Sequence, residues 1–210
     1  GQGFVAQPLP AAAQLTAGFG ASVGDYNNDG NEDIFISQNF FDLPPGDTRL
    51  DGGRGLWLQG DGNGHFTAVP GQRSGVKVYG EQRGAALGDF NSDGRVDLVV
   101  TQNGNRTKLY ENQTDKRGLR IRLAGPADNR DAIGASIRLV YKNGRKGPER
   151  TIQAGSGYWS QNSPVQVMGY GKDLQPSAIE VQWSEGTTQK VPIQSGKWNY
   201  VIAIKEPNQN

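Results

Sequence analysis

Cysteine is absent from the 210-residue chain, and histidine and methionine occur once each. Without cysteine there are no disulfides to stabilise the fold, and the redox compartment cannot be read from cysteine usage. With His65 as the single imidazole, zinc and thiol chemistry are closed off as well. No apolar run approaches the roughly 20 residues needed to cross a bilayer, and no basic-then-apolar segment follows Gly1. The chain is expected to be soluble, with no membrane insertion and with any export signal removed or never present. No ten-residue stretch reads as an amphipathic helix, and the basic residues form no run with interleaved aromatics, so nucleic acid is not an expected partner.

Turn formers and short strands are abundant. Thirty-one glycines and eleven prolines punctuate short apolar runs such as Ile34-Phe35-Ile36 and Leu98-Val99-Val100, the pattern of an all-β protein. A hydrophobic content of 34% with 20% charged residues is globular, and the length suits one large or two small domains. The net charge of +1 conceals an asymmetry. Residues 1–115 hold 14 acidic and 8 basic side chains, a balance of −6, whereas residues 116–210 hold 7 and 14, a balance of +7. The polar, turn-rich join Asn112-Gln113-Thr114-Asp115-Lys116-Arg117-Gly118 has the composition of an interdomain connection, so we divide the chain at 115/116.

The acidic part contains an internal repeat. Gly20-Ala21-Ser22-Val23-Gly24-Asp25-Tyr26-Asn27-Asn28-Asp29-Gly30-Asn31-Glu32-Asp33-Ile34-Phe35-Ile36 returns 64 residues later as Gly84-Ala85-Ala86-Leu87-Gly88-Asp89-Phe90-Asn91-Ser92-Asp93-Gly94-Arg95-Val96-Asp97-Leu98-Val99-Val100. Leu56-Trp57-Leu58 and Gly62-Asn63-Gly64-His65-Phe66 lie between the copies, Lys108-Leu109-Tyr110 replays the tryptophan strand, and the opening Gly1-Gln2-Gly3-Phe4 looks like the tail of an earlier unit. Each unit is expected to run strand, acidic loop, strand, long connection, strand, turn, strand.

Within each acidic loop, positions 1, 3, 5 and 9 carry side-chain oxygens: Asp25, Asn27, Asp29 and Asp33, then Asp89, Asn91, Asp93 and Asp97. Position 6 is Gly30 or Gly94, and position 7 offers a backbone carbonyl from Asn31 or Arg95, which explains why the side chain there is free to change. Hard oxygen donors at alternate positions around a sharp turn suit calcium, which takes 6 to 8 oxygens. Three carboxylates against a divalent ion leave about one net negative charge, whereas alone they repel each other. The loop is not an EF-hand, because position 12 is Ile36 or Val100 within a strand, where that loop requires a bidentate glutamate between helices. Asp-Gly is also an ordinary hairpin turn, but two copies with the same donor positions and flanks argue against so plain a role. We expect two calcium ions, one per loop.

The motif Asp-x-Asn-x-Asp-Gly-x-x-Asp between short hydrophobic strands, closed by Gly62-Asn63-Gly64-His65-Phe66, resembles the FG-GAP or VCBS repeat over residues 1–113. That resemblance implies β-propeller blades with calcium in a hairpin loop. Asn129-Arg130-Asp131-Ala132-Ile133-Gly134-Ala135, Gly155-Ser156-Gly157-Tyr158-Trp159-Ser160-Gln161-Asn162 and Ile179-Glu180-Val181-Gln182-Trp183 with Gly186 resemble the ASPIC/UnbV domain, which follows such repeats in the cartilage acidic protein-like family. Gly169-Tyr170-Gly171 and Trp183-Ser184-Glu185-Gly186 stand where that family commonly has Gly-Leu-Gly and Trp-Pro-x-Gly. The resemblance brings no catalytic residues. From pattern alone, Leu119–Leu123, Ile137–Tyr141, Ile179–Trp183 and Tyr200–Ile204 alternate as half-buried strands, Lys142-Asn143-Gly144 marks a hairpin, and a small β-sandwich follows.

Propellers close with 4 to 8 blades, and fewer than two repeats fit here. The chain is therefore expected to be the C-terminal piece of a longer protein, or to use open blade edges for assembly. Its partners would be the remaining blades or other protein chains. Gly20-Ala21-Ser22-Val23-Gly24 matches a hydrolase elbow, but the second copy has Ala86 for Ser22 and a calcium loop follows instead of a helix. We expect a non-enzymatic calcium-binding module at an extracellular, cell-surface or periplasmic location, serving adhesion, matrix contact or assembly; few charges and no glutamate clamp suit the weak sites that calcium-rich compartments fill. The alternative is a carbohydrate-binding module with polysaccharide as partner, stacking on Trp57, Trp159, Trp183, Trp198, Tyr158 and Tyr170. Asn105 and Asn112 head glycosylation sequons.

Overall fold

The computed structural model describes residues 3–204. Gly1 and Gln2 of the repeat-like opening lie outside the described residues, as do residues 205–210 of the C-terminal part.

The first repeat forms an antiparallel meander of β1 (Gly18–Gly24), β2 (Asp33–Gln38), β3 (Leu56–Gly60) and β4 (Phe66–Val69), in that spatial order. The second forms β5 (Glu81–Gly88), β6 (Asp97–Asn103) and β7 (Asn105–Tyr110), with the tryptophan-strand equivalent folded directly back through Gly104 instead of after a long connection. Registers match between the copies: Gly24 faces Asp33 and Gly88 faces Asp97, so each acidic loop leaves and re-enters its sheet on the same rung. The apolar runs supply the reason. Phe35 of β2 and Val100 and Leu98 of β6 point into one core shared by both sheets, with Tyr26, Val78, Leu87 and Val96. Ser22 Oγ donates to Ala85 O at 3.0 Å, joining β1 to β5 across that core; the serine of the hydrolase-like pentapeptide is thus buried and committed.

The C-terminal part is a two-layer β-sandwich. One sheet runs β10 (Arg150–Thr151), β9 (Ser136–Tyr141), β12 (Pro176–Gln182), β13 (Thr188–Pro192); the other runs β11 (Gln166–Met168), β8 (Leu119–Ala124), β14 (Asn199–Ala203). All pairs are antiparallel except β14 with β8, which run parallel. Alternation decides the faces: Leu119, Ile121 and Leu123 face Ile137, Leu139, Ile179 and Val181 across the core, while Arg122 is exposed and Arg120 half-buried on the opposite face. Each fully buried aliphatic side chain contributes roughly 1.5–3 kcal/mol. Lys142-Asn143-Gly144 forms the expected tight turn, with Gly144 N donating to Tyr141 O at 2.9 Å. The chain is all-β, with four sheets and no closed barrel or ring among the described residues, and none of its described helices is long and apolar enough to cross a membrane.

Candidate metal centre

The two acidic loops fold alike atom by atom. In the first, Asp25 Oδ1 accepts from Asp29 N at 3.0 Å and Asp25 Oδ2 from Gly30 N at 2.8 Å, while Asn27 Oδ1 accepts from Asp29 N and Asp29 Oδ1 from Asn31 N. In the second, Asp89 accepts from Asp93 N at 2.9 Å and Gly94 N at 3.0 Å, Asn91 Oδ1 from Asp93 N, and Asp93 Oδ1 from Arg95 N. Position 9 closes each loop: Asp33 Oδ2 accepts from Tyr26 N and Asp97 Oδ2 from Phe90 N, both at 3.0 Å. Position 4 is left-handed in both copies (Asn28 φ 55°, Ser92 φ 59°), as is position 6 (Gly30 φ 95°, Gly94 φ 81°), and position 6 in particular excludes a side chain without strain.

Asp25, Asp33 and Asp97 sit in an environment that disfavours their charge. Asp25 and Asp33 have no exposed surface. Burial pushes Asp25 up to about 6 and Asp33 to about 7, against partial relief from the backbone donors Gly30 and Gly60. Burial raises Asp97 in the second loop too. Among the described residues, no three acidic, histidine or cysteine side chains gather closely enough to hold a metal by themselves. The donors at positions 3 and 7 are a carboxamide and a carbonyl, and the carboxylate oxygens here turn to backbone N–H groups. The donor set fits calcium by its chemistry: oxygen only, with carboxylates at 1, 5 and 9 that a cation would keep ionised. Asp25, Asn27, Asp29, Asp33 and the Asn31 carbonyl would hold the ion in the first loop. Asp89, Asn91, Asp93, Asp97 and the Arg95 carbonyl would hold it in the second.

Residues that the sequence did not connect with the acidic loops surround them. Gly169 presses on the first loop so closely that a Cβ there would lie 2.2 Å from Asp25 Oδ2 and 2.4 Å from Asn28 Cα. Asn28, itself fully buried, donates to Lys116 O at 2.9 Å, and Lys116 Nζ reaches Tyr170 O. Burial lowers the Lys116 ammonium. On the second loop, Gly118 N donates to Gly94 O at 2.8 Å, and Arg120 Nε of β8 lies 3.1 Å from Asp89 Oδ2. Asn112 links both loops, donating from Nδ2 to Tyr26 O at 2.8 Å and Val96 O at 2.9 Å. Its amide is therefore engaged, whereas Asn105 of the other sequon is exposed. The only hint of these contacts was the charge asymmetry between the two parts of the chain.

The aromatic residues do not assemble into one platform. Trp183 is in the sandwich core, Trp57 packs on Tyr26 with ring centroids 5.1 Å apart, Trp198 lies under Arg117, and Tyr170 packs against the core and Lys116. Tyr158 and Trp159 are exposed, Trp159 at 91%. His65 is an exposed turn residue beside Asp61.

An all-β chain with a C-terminal two-layer sandwich, docked on paired acidic hairpin loops, is the class these features define. Residues 125–210 match the family model ASPIC and UnbV, which supports that family for the C-terminal part. Two relatives match over longer stretches. The chain is 29% identical over 135 residues to cartilage acidic protein 1 of Xenopus tropicalis, covering 62% of this chain and 21% of that protein. It is 28% identical over 136 residues to the Homo sapiens cartilage acidic protein 1, covering 63% and 20%. The matched region thus spans about a fifth of the length of these relatives.

Proposed function

We propose that this protein is a non-enzymatic, calcium-stabilised β module of the extracellular space or cell envelope, whose repeats act as propeller-type blades and whose edges and sandwich serve assembly or adhesion. One observation carries the reading. Two loops 64 residues apart in sequence share donor positions, left-handed positions and hydrogen bonds. A merely local turn would need neither buried carboxylates nor their repetition. Calcium at these loops would offset the repulsion and desolvation of the acidic groups, so the ions would be members of the fold. Similarity to proteins named cartilage acidic protein supports an extracellular location. Thermal unfolding tests the reading: chelation should lower Tm by several degrees, Asp29→Ala and Asp93→Ala should each reproduce part of that loss, and an unchanged Tm would reject it.

A second reading rests on Trp159, almost fully exposed with its backbone at φ 49°, next to Tyr158 on the loop that walls a cleft of about 350 Å³. Glu32, Gln153, Asn162 and Gln166 line that cleft with carboxylate and amide groups suited to sugar hydroxyls. Saturable polysaccharide binding lost in Trp159→Ala would establish this reading; binding that survives the change would remove it.

A further inference from the structure

The two acidic loops match in backbone and differ in the cations beside them. Among the described residues, no lysine or arginine nitrogen lies within ion-pair distance of Asp25, Asp29 or Asp33; Arg150 is instead paired with Glu32 at 2.8 Å. The second loop carries two such contacts. Arg120 Nε is 3.1 Å from Asp89 Oδ2, and Arg95 Nη1 is 2.7 Å from Asp93 Oδ2. Both are positioned by structure. Arg120 is held in β8, where its backbone N donates to Trp198 O at 2.7 Å, and its partner carboxylate has no exposed side-chain surface. Arg95 is braced by donating from Nε to Thr114 O.

Resting on the calcium reading above, we infer that the two loops fill unequally: the first takes calcium at the lower concentration, and Arg120 and Arg95 hold down the affinity of the second. The physical ground is charge. A carboxylate already hydrogen-bonded to a half-buried guanidinium offers less net charge to a second cation, and the two positive charges repel. In the first loop Arg150 and Lys116 act on Asp25 only through space, beyond ion-pair distance, and no guanidinium is hydrogen-bonded to the donors. Arg120 also comes from the sandwich, so the affinity of the second loop is set by a residue outside its own repeat. A guanidinium this close to a ligating carboxylate weakens the site by about tenfold at an effective dielectric between those of protein and water.

Calcium titration of the full chain by calorimetry tests this. Two steps are expected, separated by about tenfold or more in Kd. Asp29→Ala should abolish the tighter step and Asp93→Ala the weaker. Arg95→Asn keeps the position 7 carbonyl and copies the residue of the first loop; it and Arg120→Gln should each tighten the weaker step several-fold and leave the tighter one unmoved. Because Arg120→Gln also disturbs domain contacts, Arg95→Asn is the decisive variant if the former fails to fold. Two sites of equal affinity, or a weaker step that neither arginine change moves, would overturn the inference and leave the calcium reading intact. No calcium binding at either loop would overturn both.

Discussion

Asp25 and Asp33 are held where their ionised forms are disfavoured, at about 6 and about 7, chiefly by burial. Both values lie above the carboxylate range of an unfolded chain, so without calcium these groups contribute stability that is fully present below about pH 4 and lost as pH rises through about 6 to 7. In chelator, Tm should therefore fall between about pH 4 and pH 7 and level off above that. Calcium favours the ionised carboxylates, so its stabilisation should grow over the same interval; melts across pH, with and without the ion, check both slopes. Gly169 has a different task. Its missing Cβ lets the sandwich backbone lie against Asp25 and Asn28. Gly169→Ala should destabilise the chain by more than about 1 kcal/mol through backbone displacement, measurable as a lower denaturation midpoint.

At the scale of strands, β2 and β6 carry the repeat core. Phe35→Ala in β2 should cost about 3–5 kcal/mol, because its ring is fully buried between the two sheets, whereas Val201→Ala on the exposed face of β14 should change stability by no more than about 0.5 kcal/mol. Denaturant unfolding of both variants reads the contrast. These strands were legible from sequence because Ile34-Phe35-Ile36, Leu98-Val99-Val100 and Ile137–Tyr141 are bounded by turn formers and match strand length. The acidic loops were legible for the same local reason, since their donors alternate within nine residues. What escaped was non-local or weakly patterned. Thr188–Pro192 of β13 has no clean apolar alternation, β10 has two residues, and the parallel pairing of β14 with β8 joins segments about 80 residues apart. Arg120 reads only as an outward position of an alternating strand, and nothing in that alternation tells which carboxylate it meets.

Across the whole molecule, the acidic repeats and the basic sandwich are docked through their opposite charges and through the acidic loops themselves. Lys116 and Gly169 cover the first loop while Gly118 and Arg120 cover the second, so any cation in either loop sits at the junction of the two parts. The repeat sheets stay open, with β4 and β7 as edges, and such edges suit pairing with further strands. Equilibrium dialysis of the full chain at millimolar free calcium, followed by metal analysis, reads out whether both acidic loops hold calcium. Two calcium ions bound per chain are expected, with one lost in Asp29→Ala and one in Asp93→Ala. A chain that retains no calcium under those conditions, or whose bound calcium survives both substitutions together, would contradict this expectation.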